Sequence, residues 1–144
     1  MGHGDIDQLV FHPDWPTPKP GGDDVLIKVC ACSLNNTNVN TRTGWYSKAV
    51  SEATTRAGLA KVDEDDPIWC GAPISFPRTQ GADVGSEIIA VGKDVDTNRI
   101  GESVITDNRL RDPSDPMNMD RTGYFGSQRN NGFSQYTTIP PEMP

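Results

Sequence analysis

Four polar side chains follow closely on the first long apolar segment of this sequence. They are Asn35, Asn38, Arg42 and Tyr46. Amide and guanidinium groups bind polar atoms through hydrogen bonds, and a phenol both donates and accepts one. We place these residues on an Asn-rich loop, because loops held by a rigid scaffold often carry binding and catalytic residues. The same residues also suit an ordinary turn, since Asn tolerates left-handed backbone and caps its own loop.

The scaffold before this loop is predicted to be a strand from Val25 to Cys32. Successive side chains of a strand point to opposite faces of the sheet. One face would carry Val25, Ile27, Val29 and Ala31. The other face would carry Leu26, Lys28, Cys30 and Cys32. The alternation ends by position 34, so the polar loop directly follows the strand.

Several segments, in order, resemble the medium-chain dehydrogenase/reductase superfamily, and specifically its zinc-free, quinone-oxidoreductase-like branch. The strand at Val25 is similar to the family's "geVLVkV", and the following loop to its first substrate loop. Three later segments are similar to "GxDxxGxVxAVGxxV", "iGdrV" and "GgfAey": Gly81 to Val95, Ile100 to Val104, and Gly132 to Tyr136. Together these segments cover nearly the whole chain.

The resemblance implies a mainly β fold, a GroES-like, partly open antiparallel barrel with short helices. The sequence pattern agrees, because short apolar runs are separated by turn residues, with 14 Gly and 12 Pro in 144 residues. We predict strands near Leu9 to Phe11, Val25 to Cys32, Ile88 to Val91, Val104 to Thr106, and Gly132 to Thr138. The fold class is therefore predicted both by the resemblance and by the pattern of the residues.

Residues 1–144 are expected to form one catalytic domain with an insertion at about 47–76. Within the insertion, Ala49 to Lys61 is rich in helix formers, and it is either a surface excursion or a lid over a cleft. No G-x-G-x-x-G sequence follows a strand, so the Rossmann nucleotide-binding domain is absent from this chain. We expect the chain to be the catalytic half of a longer enzyme.

The resemblance also implies roles for the four loop residues. In this branch a nicotinamide cofactor, NADP or NAD, delivers hydride to a quinone, enone or carbonyl lying between two domains. Asn35 and Asn38 would hydrogen-bond the substrate oxygen or the nicotinamide ribose. Arg42 would stabilise developing negative charge or hold Asn38, and Tyr46 would supply a proton or a stacking face. The four side chains are expected to converge at one end of the barrel.

The same resemblance predicts that no zinc is bound. Zinc alcohol dehydrogenases have a Cys where this chain has Asn35, and a His where it has Ala82. An amide and a methyl group cannot replace thiolate and imidazole. A structural zinc lobe would need four further cysteines, and no Cys follows Cys70. The family also usually has Gly where Ser86 stands, which would alter close strand packing.

Composition excludes other classes of function. The net charge of −7 gives no basic surface for nucleic acid. No apolar stretch approaches the roughly 20 residues that cross a bilayer, and no signal peptide follows Met1. We therefore expect a cytoplasmic protein. The resemblance implies that its partners are a small-molecule substrate and a nucleotide-binding domain of the same polypeptide. The full-length protein is expected to be a homo-oligomer.

Two other functions remain open at this point. A free-standing GroES-like co-chaperonin would share the barrel, although it is usually shorter and needs a mobile hydrophobic loop. A module that binds a small ligand without catalysis is harder to separate, because this chain contains no hydride source of its own. The reading frame after Pro144 would distinguish an oxidoreductase from such a module.

Overall fold

The computed structural model describes residues 2–46 and 74–142. Within these residues lie one α-helix, α1 (Asn36–Thr43), and six strands. The strands are β1 (Val25–Cys32), β2 (Val84–Val91), β3 (Ser103–Ile105), β4 (Arg109–Leu110), β5 (Gly123–Tyr124) and β6 (Tyr136–Ile139). Short 3₁₀ turns lie at Ile6–Gln8, Thr97–Arg99 and Met119–Arg121. No helix in these ranges is long and apolar enough to cross a membrane.

The strands form two antiparallel sheets. The larger has the order β3-β2-β1-β6, and the smaller pairs β4 with β5. β1 lies at the centre of the larger sheet, between β2 and β6. The described strands do not close into a complete ring, so the predicted mainly β, partly open antiparallel fold with short helices is confirmed.

One apolar cluster fills the inner face of the larger sheet. Its buried members are Val25, Ile27, Val84, Ile88, Phe125 and Ile139. Three of the four strands in this sheet contribute to the cluster, and Phe125 adds a contact from the segment after β5. Burial of each large apolar side chain stabilises the fold by about 1.5–3 kcal/mol. The cluster therefore fixes β1, whose end carries the predicted site.

An irregularity in β1 changes which side chains face the core. The pairing with β2 shifts between Val29 and Ala31, so Cys30 is left without a partner in the register. An extra residue of this kind is a β-bulge, and it reverses the alternation beyond it. Cys32 consequently packs against the core cluster, while Ala31 is exposed. The predicted placement of Ala31 with Val25, and of Cys32 on the opposite face, is therefore wrong.

The predicted strand boundaries are correct for β1 and less accurate elsewhere. β2 starts four residues earlier than the predicted Ile88, and β6 starts at Tyr136 rather than Gly132. Leu9 to Phe11 is not a strand. Its three apolar side chains are more than half exposed, and the segment pairs with no strand. It forms instead one wall of a cavity.

The Asn-rich segment after β1 is a helix, not the predicted loop. Asn and Thr have low intrinsic helix propensity, but both ends of α1 are capped. Asn35 and Asn38 form a capping box at the start, and Gly44 ends the helix with a left-handed φ of 73°. The caps satisfy backbone groups that the short helix leaves open.

Most of the predicted insertion lies outside the described residues. These residues include neither its proposed helix at Ala49 to Lys61 nor the rest of 47–73. Only the end of the insertion, Ile74 to Phe76, is described. Ile74 is 5% exposed, and the Phe76 ring meets the His3 ring edge-on at 5.0 Å. This end therefore packs against the amino-terminal segment.

Candidate functional site

The amino-terminal end of α1 carries Asn35 and Asn38. The Asn35 side-chain oxygen accepts a hydrogen bond from the backbone N–H of Thr37 at 2.9 Å. The Asn38 side-chain oxygen accepts one from the backbone N–H of Asn35, also at 2.9 Å. Each oxygen therefore already caps the helix. The Asn35 amide nitrogen points away from the cap and donates to Asp83 Oδ2 at 3.0 Å.

Arg42 and Tyr46 lie at the other end of the helix. The Arg42 side chain is 13% exposed and its Nη1 lies 3.8 Å from the Asp5 carboxylate. The same nitrogen donates to the backbone oxygen of Gly4 at 2.7 Å. The Tyr46 hydroxyl accepts a hydrogen bond from the Asn40 amide at 3.4 Å. Arg42 thus joins the carboxyl end of α1 to the amino-terminal segment.

The helix separates the four predicted residues into two pairs. Eight helical residues at 1.5 Å per residue span about 12 Å. Asn35 and Asn38 lie at one end of this span, and Arg42 and Tyr46 at the other. The structure brings together the members of each pair but does not bring the two pairs to a single point.

Asp83 is a site residue that was not among the four predicted ones. Its carboxylate accepts hydrogen bonds from the Asn35 amide and from the Ser33 hydroxyl at 3.1 Å. The backbone oxygen of Asp83 also accepts a hydrogen bond from the Ser33 N–H at 3.0 Å. Asp83 therefore ties the end of β1 to the segment that begins β2. The signal was available, since Asp83 directly follows Ala82 in the glycine motif.

The segment before β2 is held in a close backbone contact. Gly132 N–H donates to Gly81 oxygen at 3.0 Å, and Phe133 N–H donates to Gln80 oxygen at 2.8 Å. Gly81 has a φ of 99°, which favours glycine. The Gln80 amide nitrogen donates to the Asn38 backbone oxygen at 3.1 Å. These bonds position Asp83 and α1 relative to one another.

Cys32 lies beside this segment and has a perturbed acidity. Burial, and second the nearby negative charge of Asp83, raise the pKa of the Cys32 thiol. Both effects disfavour the thiolate, which is the reactive form of cysteine. Cys30, two residues earlier, is exposed. The pair therefore offers an internal comparison of thiol reactivity within one strand.

We expect Cys32 to react with iodoacetamide more slowly than Cys30 at pH 8. The raised pKa leaves less Cys32 thiolate at that pH, and burial also restricts access to its sulfur. Tandem mass spectrometry of the alkylated peptide resolves the two sites over time. The difference should vanish in 6 M urea, on the order of the concentrations that unfold small domains. Equal rates in the folded chain would contradict the assigned environment.

The residues at this end of the sheet do not fit a zinc ion. A zinc site needs several thiolate, imidazole or carboxylate ligands, and the described ranges contain no group of three or more such side chains able to hold a metal. Asp83 is engaged by an amide and a hydroxyl, and Ala82 has no ligand atom. The Cys32 thiol has its pKa raised rather than lowered.

The described residues also offer little to the phosphates of a dinucleotide. Such phosphates bind free N–H groups at a helix amino terminus after a glycine-rich turn. At the start of α1, the N–H of Thr37 bonds to the Asn35 side chain, and the N–H of Asn38 bonds to the Asn35 backbone oxygen. α1 therefore presents a capped amino terminus rather than a phosphate site.

A cavity of about 450 Å³ lies against the carboxyl end of α1. Its walls come from the amino-terminal segment, the end of α1, residues 76–80 and residues 133–136. Of the four predicted site residues, only Arg42 lines it. Arg78 and Gln80 also line it, and both were missed. Arg78 had a signal, because it is the one charged residue between Pro67 and Ala82.

Residues 21–143 match the family described as the alcohol dehydrogenase GroES-like domain. Among solved structures, the chain is similar to a protein provisionally named alcohol dehydrogenase from Sinorhizobium meliloti 1021. The two share 35% identity over 99% of this chain and 37% of that protein, with a TM-score of 0.77. No curated protein gives a significant match.

Two further solved structures share the fold at lower identity. An NAD-dependent alcohol dehydrogenase is 22% identical over 90% of this chain and 33% of its own, with a TM-score of 0.65. A cobalt- and zinc-bound thermostable alcohol dehydrogenase from Pyrobaculum aerophilum is 18% identical over 88% and 34%, with a TM-score of 0.62. The chain thus spans about a third of the length of the solved structures it matches.

Proposed function

Because this chain belongs to the alcohol dehydrogenase GroES-like domain family and to the medium-chain dehydrogenase/reductase superfamily, we propose that it is the substrate-binding part of an NAD(P)-dependent oxidoreductase. Its substrate would be a quinone, enone or carbonyl compound. The family match and the 35% identity to the Sinorhizobium protein support this proposal. A nucleotide-binding domain of the same polypeptide would hold most of the cofactor, since the capped start of α1 leaves little for its phosphates.

The proposed reaction needs no metal. The observation that supports this most directly is the 3.0 Å hydrogen bond from the Asn35 amide to Asp83. Asn35 stands at the position where the resemblance would place the thiolate ligand of a zinc alcohol dehydrogenase. A carboxylate that already accepts from an amide and a hydroxyl is satisfied without a cation. The proposed hydride transfer therefore involves no zinc.

Within this reaction the residues of the chain would bind and orient the substrate. When bound, the nicotinamide cofactor supplies the hydride. The Asn35 and Asn38 amides at the start of α1 would donate hydrogen bonds to the substrate oxygen or the cofactor ribose. Arg42 and Tyr46, at the far end, would act on the part of the substrate that reaches the carboxyl end of α1. Arg42 would offset negative charge there, and Tyr46 would donate a proton or pack against a ring.

We expect the full-length protein to oxidise NADPH or NADH in the presence of an enone, quinone or aldehyde. The test is a panel of such acceptors. Cofactor consumption is followed by the absorbance of the reduced nicotinamide at about 340 nm. Steady turnover with one acceptor class supports the proposal. A full-length protein that binds acceptors but never consumes cofactor would instead support a ligand-binding module.

We expect the purified protein to contain no stoichiometric zinc, and its turnover to be insensitive to a chelator. Asn35 and Ala82 supply neither thiolate nor imidazole, so no tight site should survive dialysis. Elemental analysis after dialysis against a mild chelator measures the bound metal directly. One zinc per chain that is lost together with activity would overturn the metal-free reaction.

A further inference from the structure

Arg78 is a cation without a matching anion in the described part of the chain. Its Nε is buried and has no hydrogen-bond partner. Its Nη1 donates to the Asn130 side-chain oxygen at a long 3.4 Å, and that oxygen already accepts from the Thr79 N–H at 2.9 Å. No described carboxylate lies within 4.0 Å of it. Burial lowers the pKa of the Arg78 guanidinium, in accord with a desolvated charge.

Other arginines near this position are already paired. Arg129 donates to Asp24 at 2.6 Å. Arg42, which lines the same cavity, donates to the Gly4 oxygen at 2.7 Å. Arg78 differs from both in having a buried donor, Nε, without a hydrogen-bond partner. A half-buried guanidinium whose buried Nε lacks an acceptor is costly unless an anion or another acceptor binds it.

The space next to Arg78 can hold a small organic molecule. Arg78 lines the cavity of about 450 Å³ and also an adjoining one of about 210 Å³. Ligand sites commonly have volumes of 300–1,000 Å³, roughly the size of the larger cavity. Apolar groups form much of its wall, namely Leu9, Val10, Phe11, Trp15, Phe76 and Phe133.

The charge of the cavity favours an anion. Its described lining contains Arg42 and Arg78 but neither Asp nor Glu, although the chain as a whole has 20 acidic residues and a net charge of −7. An anion that enters this cavity therefore meets two guanidinium groups and no carboxylate of the described lining.

We propose that this cavity binds a small organic carboxylate, whose carboxylate group pairs with Arg78 and whose apolar body lies against the aromatic wall. The planar guanidinium fork matches a carboxylate in two parallel hydrogen bonds. A free phosphate is a poorer fit, because it needs several donors and offers nothing to Phe11, Trp15 or Phe133. The binding requires no cofactor and does not depend on the proposed hydride transfer.

The test uses 2-naphthoate and its uncharged counterpart 2-naphthamide as probes of the whole chain. Calorimetric titration should give saturable binding of the acid, and at least tenfold weaker binding of the amide, on the order expected for a charged hydrogen bond. Equal affinity for the two probes, or no binding of the acid, overturns the proposal. Displacement of the acid by an equal concentration of inorganic phosphate also overturns it.

Variants of the chain locate the bound probe. Arg78→Gln should weaken 2-naphthoate binding by about tenfold to a hundredfold. Arg78→Lys should give an intermediate loss, because it keeps the charge without the fork. Arg109→Gln is the matched control, since Arg109 also has no described ion pair but lies outside both cavities. An equal loss in the Arg109 variant, or none in the Arg78 variants, overturns the assignment.

Discussion

Gly92→Ala is expected to destabilise the fold by about 3 kcal/mol, at the upper end of the usual cost of overpacking. Gly92 is buried at the end of β2, and its N–H donates to the Asp24 oxygen at 2.7 Å. A Cβ at this position would overlap the backbone carbonyl oxygens of Gly21 and Gly22. Backbone atoms cannot move aside as a side chain can, so the contact between the turn before β1 and β2 would have to open. Urea unfolding of the two proteins measures the difference.

Gly85→Ala is the control for this prediction. Gly85 lies within β2, the strand that Gly92 directly follows, yet a Cβ there would meet no atom within 4 Å. Alanine also loses less conformational entropy than glycine on folding, so the control should be neutral or slightly stabilising. If Gly92→Ala unfolds at the same urea concentration as Gly85→Ala, the close contact of Gly92 with Gly21 and Gly22 does not contribute to the stability of the fold.

The glycine motif shows how far the sequence alone could go. It identified Gly81, Gly85 and Gly92 together but could not rank them. The structure distinguishes them. Gly81 has a left-handed φ, and a Cβ at Gly92 would overlap the backbone of another segment. Neither constraint applies to Gly85. Ser86, where the family usually has Gly, is 6% exposed and its buried hydroxyl has no hydrogen-bond partner. Such a ranking of glycines by steric contact requires knowing which segment packs against each one. For Gly92 that segment includes Gly21, about 70 residues away in the sequence.

Local patterns predicted elements better than they predicted faces. The alternation from Val25 to Cys32 gave both ends of β1 correctly, because half-buried strands have a clear period of two. The bulge at Cys30 exchanges the faces on which the last residues of β1 lie. Nothing in a single sequence marks where a partner strand is one residue short. α1 was missed for a related reason. Its Asn and Thr residues are typical of turns, whereas the capping box that stabilises it depends on two side chains acting together.

The site was predicted less well than the fold because its contacts are long-range. Asn35 bonds to Asp83, which is 48 residues away in the sequence. Arg42 bonds to Gly4, 38 residues away in the other direction. Arg78 has no sequence neighbour that reveals its cavity. A polar residue on a loop can be recognised locally, but the group it meets depends on how β1, β2 and the amino-terminal segment come together.

If the proposed reaction is catalysed, Arg42→Ala is expected to lower kcat of the full-length protein about a hundredfold, the loss typical when one donor to a developing negative charge is removed. The guanidinium lines the cavity and is only 13% exposed, so solvent would screen it weakly. Its bond to the Gly4 oxygen will also be lost, at a cost of about 1–3 kcal/mol. The Asp5 contact adds little to this cost, since Asp5 is 74% exposed. Steady-state kinetics and thermal unfolding of the same samples separate the two effects.

Two controls decide whether Arg42 acts on the substrate or only on the fold. Arg121→Ala removes an arginine whose side chain is 62% exposed, and it should leave both turnover and stability unchanged. Asp5→Ala removes the carboxylate beside Arg42 but keeps the guanidinium and its bond to Gly4, so turnover should persist. If Arg42→Ala unfolds several degrees earlier yet turns over normally once folded, the residue is a clamp between α1 and the amino-terminal segment. The proposed charge-stabilising role would then belong to another group of the full-length protein, because no loss of kcat would remain for Arg42 to explain.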